Sequence, residues 1–209
     1  MTVAIAGAAR HICDAMFHRG NGRAAVDFAT ATAGRLESDL VARGSQGLSV
    51  LGMLYLKASV AAAHIEARGE VPDLLGAAGA SARRLGVDGN ALWTAFGPTN
   101  VQIHRVSALA RMNDGVEAVV AAEQIDGRAR DALPRERRAH HLVDVARSLS
   151  QAGRREESVA KLLEAEREAS EEVHCRPRTK RLVDDLRLLG VGSAESRLRA
   201  LAERCGLPA

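Results

Sequence analysis

The sequence predicts an all-α protein made of stacked antiparallel helix pairs, and three observations carry this. Aromatic residues are only 2% of the chain (Phe17, Phe28, Tyr55, Trp93 and Phe96), so its apolar mass is Ala, Leu and Val. That composition disfavours a sandwich or barrel, whose strands take aromatic and β-branched residues, and suits helices that approach closely through Ala. Apolar residues recur with a helical period, broken by short turns holding Gly, Asp or Asn, and strand alternation is almost absent.

Taken in order, the periodicity predicts a first helix over 2–19, a turn at 20–23 and a second helix over 23–41. The segment RGSQG (43–47) reads as a loop before a long helix ending near Ala67. After 68–70 a helix runs from Pro72 to Leu85, and GVDGN (86–90) is a loop. A short segment carries Trp93 and Phe96 ahead of a helix from Pro98 to Met112. The turn 113–115 leads into a helix to about Ile125, and DGRARDA (126–132) is a loop. Helices then run from Pro134 to Ala152, from 155 to about Ala169, over 177–189 and over 193–205. Pro72, Pro98 and Pro134 stand at first helical positions, where a missing N–H costs nothing.

The turns at Gly20, Gly69, Asn113 and Gly153 are spaced by 49, 44 and 40 residues. A tetratricopeptide repeat has a shorter period of about 34, but the unit is the same: helix, tight turn, helix. One such pair cannot bury its apolar faces alone, and stacked pairs form a curved array with a concave surface. The expected fold is a tetratricopeptide-like right-handed superhelix, with residues 1–209 as a single domain.

A polar stripe recurs at one place in the first helix of each pair. Counting back two, six, nine and thirteen residues from Gly153 gives Gln151, Arg147, Asp144 and His140. From Asn113 the same steps give Arg111, Ser107, His104 and Asn100, and from Gly20 they give His18, Asp14, His11 and Gly7. The spacing keeps each set on one helical face, the face that lines the concave groove of such a pair. Before Gly69 the stripe is apolar, or, one residue over, Glu66, Ala62, Ser59 and Tyr55. Asn100, His104, His140, Asp144 and Arg147 are short or fork-shaped groups suited to directed hydrogen bonds. With Tyr55, Trp93 and Phe96 as apolar walls, they are the expected ligand-binding residues for a small-molecule or peptide effector.

Other chemistries find less in the sequence. No Gly-rich phosphate loop, nucleophile elbow or paired-carboxylate motif occurs, so no enzyme and no cofactor are expected. His11, Asp14 and His18 lack a companion zinc motif, and the three cysteines lack both metal-ligand and disulfide spacing. The net charge of +3 is too small to imply nucleic-acid binding, and the basic stretches 128–138 and 176–181 are mixed with acids or lack stacking aromatics. The N-terminus lacks signal-peptide character, and the apolar run 48–63 is short and interrupted by Lys57. The expectation is a cytoplasmic protein with no membrane contact. An interaction scaffold using the same groove is the rival reading, followed by an enzyme that reuses it.

At TAFGPTNVQIHRV (94–106), with RLGVDGNALW (84–93) before it, the chain resembles the C-terminal region of actinobacterial helix-turn-helix transcriptional regulators of the XRE type. The resemblance continues through 134–166, 176–186 and 198–207, and upstream through LSVLGMLYLKASVAAA (48–63). It implies a tetratricopeptide-like sensor region that follows a DNA-binding domain in the family. No such domain is legible in the 209 residues, so DNA contact is expected only through a separate helix-turn-helix domain. A homodimer is expected too, with a second copy masking the first helix.

Overall fold

The computed structural model describes residues 1–208. Among them are twelve α-helices, two short 3-10 turns and no strand. The chain is therefore all-α, and it divides into two compact units, Met1–Met112 and Asn113–Ala209.

The first unit holds α1 (Thr2–His18), α2 (Gly22–Val41), α3 (Gly44–His64), α4 (Val71–Leu85) and α5 (Pro98–Arg111). Helix α3 is its centre, packed against α1, α2, α4 and α5. Fourteen of its 21 residues are buried, so it is apolar on every side rather than along one stripe. It is long and apolar enough to cross a membrane, but most of that length is buried inside the protein. Glycines and alanines let its neighbours approach. A Cβ on Gly47 would lie 1.8 Å from the Leu40 carbonyl oxygen of α2. A Cβ on Gly52 would lie 1.9 Å from the Phe96 ring. Phe96 is fully buried beside Met53, Leu56, Ala78 and Ala82.

Two boundaries differ from the sequence expectation. RGSQG is not a loop: α3 starts at Gly44, leaving only Ala42 and Arg43 between α2 and α3. The first turn of α3 passes close to α2, where only a glycine fits at position 47. At its other end α3 stops at His64, three residues before Ala67. Glu66 takes a left-handed φ of 58°, and the Ala67 N–H donates back to the Ala62 carbonyl at 2.9 Å. That is a Schellman-type ending made without glycine.

The second unit holds α6 (Gly115–Glu123), α7 (Gly127–Asp131), α8 (Arg135–Gln151), α9 (Arg155–Glu168), α10 (Ser170–His174), α11 (Pro177–Leu189) and α12 (Glu195–Arg204). Helices α8 and α9 form the main hairpin, α6 lies on α8, α11 meets α8, and α12 meets α9. Leu162, Val173, Leu182, Leu186, Leu198 and Leu201 fill the core. The loop expected at 126–132 contains α7, capped by the Asp126 carboxylate, which accepts the Ala129 N–H at 2.8 Å. Helix α10 has no counterpart in the sequence reading. It is tied to α9 through Glu166, which takes His174 Nε2 at 2.6 Å and also a bidentate Arg204 at 2.7 Å.

Gly52 supplies a test of this packing. Gly→Ala in a helix normally stabilises by about 1 kcal/mol, but here the new methyl meets the Phe96 ring. Gly52→Ala is expected to destabilise the chain by about 1–3 kcal/mol in urea unfolding. Phe96→Leu added to Gly52→Ala is expected to cost less than the two single changes summed.

Candidate functional site

The motif TAFGPTN is built by a loop that ties itself down at both ends. Helix α4 ends on Gly86 in the left-handed conformation. Asp88 then caps α5 from eleven residues away: Oδ1 accepts the Thr99 N–H at 2.9 Å and Oδ2 accepts the Thr99 hydroxyl at 2.6 Å. This arrangement needs Gly97, because a Cβ there would lie 2.4 Å from Asp88 Oδ1. Asn90 Oδ1 accepts the Ala95 N–H at 2.9 Å, and the Gly89 N–H donates to the Phe96 carbonyl at 3.1 Å. Held inside these bonds, Leu92, Trp93 and Ala95 all have left-handed φ, at 53°, 57° and 46°. Each costs roughly 1–2 kcal/mol in a non-glycine residue.

The expected site residues fall into the two units. In the first, Phe96 is a core residue seated on Gly52, not an open wall. Trp93 is the reverse, 87% exposed on the strained loop. Tyr55 is half-buried between the core clusters around α3, and burial pushes its phenol above the ordinary range, helped by the charge of Glu37. Asn100 is fully buried; its Nδ2 lies 3.6 Å from Met53 Sδ and its Oδ1 has no hydrogen-bond partner. His104, one turn on and also buried, has Nδ1 2.9 Å from the Asn100 backbone carbonyl. A carbonyl only accepts, so Nδ1 carries the proton. Asn100 and His104 are therefore brought together.

In the second unit, His140, Asp144 and Arg147 share one face of α8, where His140 and Arg147 are engaged. His140 Nε2 meets the Glu172 carboxylate, which also accepts from Arg176 Nε. Burial lowers the His140 pKa, and Arg176 adds to this, while Glu172 opposes it. Arg147 donates from Nη2 to the Arg178 carbonyl at 2.9 Å; burial lowers its pKa, opposed by Asp144 and Asp185. The Asp144 backbone carbonyl accepts the Ser148 hydroxyl at 2.8 Å. His140 and Arg147 thus fasten α8 to the start of the next hairpin.

The α1 stripe is engaged as well. Asp14 pairs with Lys57 of α3 at 2.8 Å, His11 Nε2 lies 3.2 Å from Arg10 Nη2, and His18 packs edge-on against Phe17. Among the described residues no three His, Cys, Asp or Glu side chains gather as metal ligands.

Four residues that matter here were not singled out by pattern. Asp88 lies in GVDGN, which reads only as a turn; its reach to Thr99 is a tertiary contact. Glu172 and Arg176, four apart, carry the signature of a helical ion pair but not its partner His140. His141 stands one residue off the stripe. It is buried with Nδ1 unpartnered, and burial lowers its pKa to about 4, with Arg130 and Lys161 adding to this and Asp144 opposing. No family model, curated protein or solved structure matches this chain.

Three outcomes follow from this geometry. Asp88→Ala removes the cap from Thr99 and is expected to cost about 1–2 kcal/mol in chemical denaturation. Asn100→Leu keeps the branching and removes an orphaned carbonyl oxygen, whose burial costs about 1–3 kcal/mol; its melting temperature is expected to match or exceed the wild type. His141 is neutral when folded, and its pKa rises to about 6.5 when unfolded. Its contribution is therefore present above pH 6.5 and is lost as the pH falls from there to about 4. Urea midpoints measured across that range are expected to fall less steeply in His141→Gln than in the wild type.

Proposed function

We propose that this chain is a non-catalytic, tetratricopeptide-like regulatory module that takes a small-molecule or peptide effector, like the sensor region of the XRE-type regulators it resembles. The observation that carries the reading is the order of packing in the first unit. Helices α1 and α3 each pack on the hairpin partner that follows them, α2 and α4, and also on the next first helix, α3 and α5. Helices α2 and α4 each pack on the first helix that follows. This alternation is how tetratricopeptide hairpins stack. In the second unit α8 with α11 repeats the relation between successive first helices, and α9 meets α12. In this reading each unit is a stretch of right-handed superhelix in which α1, α3 and α5, or α8 and α11, present the ligand face. DNA would be reached through a separate helix-turn-helix domain, in the cytoplasm.

Two features support an effector site around α5. Asn100 keeps a buried amide oxygen without a partner, a state that native proteins rarely tolerate without a reason. The adjoining loop spends backbone strain to hold Trp93 in solvent. On α8, Asp144 and Arg147 are the corresponding polar groups. A thermal-shift screen of metabolites and short peptides tests the reading. A ligand at a hundred times its Kd is expected to stabilise the chain by about 2.7 kcal/mol, with binding lost in Asn100→Ala or Trp93→Ala. Binding unchanged in both variants and in Arg147→Ala would reject the proposed site.

A further inference from the structure

The first unit carries a groove between α4 and α5 that the effector site does not use. It encloses about 580 Å³, room for several side chains. Leu75, Val101 and Leu109 form part of its apolar floor. Gly76, with no atom within 4 Å of where its Cβ would stand, leaves the α4 side open to another backbone. The charged residues around it are all arginines: Arg68, Arg83 and Arg105. Arg68 donates to the Met112 carbonyl, while Arg83 and Arg105 are exposed and form no ion pair among the described residues. An apolar slot bordered only by cations calls for an amphipathic helix with carboxylates beside its apolar residues.

The chain contains such a helix. On α6, Val116 and Val120 stand one turn apart and are 61% and 51% exposed. The opposite face, with Gly115, Ala118 and Val119, is buried, and Gly115 approaches α8 so closely that a Cβ would lie 2.5 Å from the Gln151 Cβ. Glu117 and Glu123 are exposed on either flank of the valine pair, and no Lys or Arg occurs from 113 to 127; the one cation beside them is Arg154, 3.9 Å from Glu123 in a solvent-exposed contact that leaves the carboxylate accessible. Helix α6 is thus fixed by one face and offers an acidic, valine-ridged face outward.

We infer that the α4–α5 groove receives α6 of a second copy of this chain, giving a homodimer. Each copy both gives an α6 and receives one. A reciprocal contact is made twice, and two copies of a small patch together approach the ~1,000 Å² of a stable interface. Arg83 and Arg105 pair with the Glu117 and Glu123 of the other copy, and Val116 and Val120 fill the floor.

Sedimentation analysis of the full chain from about 1 to 100 μM is expected to show a monomer–dimer equilibrium. The double changes Arg83→Glu with Arg105→Glu, and Glu117→Arg with Glu123→Arg, are each expected to raise the dimer Kd by about tenfold or more. All four positions are exposed, so circular dichroism and melting temperature are expected to stay near the wild type. Mixing the two variants restores opposite charges at both contacts, so a heterodimer is expected where each variant alone is monomeric. The inference is overturned by a monomer at every concentration, by dimers that persist in both variants, or by a mixture that stays monomeric. Effector binding to wild type and variants reads the previous proposal separately, because none of these residues lies in that site.

Discussion

The first unit depends on burying most of α3 among its four neighbours. A helix surrounded by four others must meet them at short range, and the residues that permit this are small. Leu and Met supply the burial; Gly47, Gly52 and the run of alanines set how near the neighbours come. The exchange is unfavourable locally, since glycine weakens a helix, and favourable overall, since close packing gains dispersion contacts along the whole helix. Phe96 shows the result. Its ring occupies the space that a side chain at position 52 would need, so the loop after α4 is anchored to the centre of the unit rather than draped over it.

That anchoring explains why the loop tolerates strain. Three left-handed residues in a stretch of four would open in an isolated peptide. Here Asp88 and Asn90 satisfy the backbone and side-chain donors of Thr99 and Ala95, and Phe96 is held in the core. The same construction caps α5 without a polar residue at the capping position, which Gly97 occupies because Asp88 leaves no room for a Cβ. Trp93 remains exposed between two fixed points, Asn90 and Phe96.

The second unit is fastened differently. Its apolar core is supplemented by carboxylates that each take a histidine or arginine from another element: Glu166 with His174 and Arg204, Glu168 with Arg138, Glu172 with His140 and Arg176. These contacts connect α8, α9, α10 and α12 around the short α10. His140 of the α8 stripe is part of this network and Arg147 binds the Arg178 carbonyl, so groups that look like open ligand contacts in a helical projection also position the hairpin that follows.

The sequence by itself determined the all-α class, most helix limits and the buried status of residues 48–63, because apolar period, turn residues and proline at helix starts are local signals. It also placed Asn100 with His104, and His140 with Asp144 and Arg147, since helical spacing alone sets a shared face. Tertiary structure decided what those faces meet. Phe96 became core and Trp93 stayed in solvent although they stand three residues apart, because only the position of Gly52 in the folded unit distinguishes them. RGSQG joined a helix whose first turn lies against Leu40, a tertiary contact that local turn signals do not carry. Asp88 became a cap, and Glu172 a partner for His140, through contacts across 11 and 32 residues. Period and propensity describe a chain along its own axis; which side chain faces solvent and which faces another helix is fixed only when the helices are assembled.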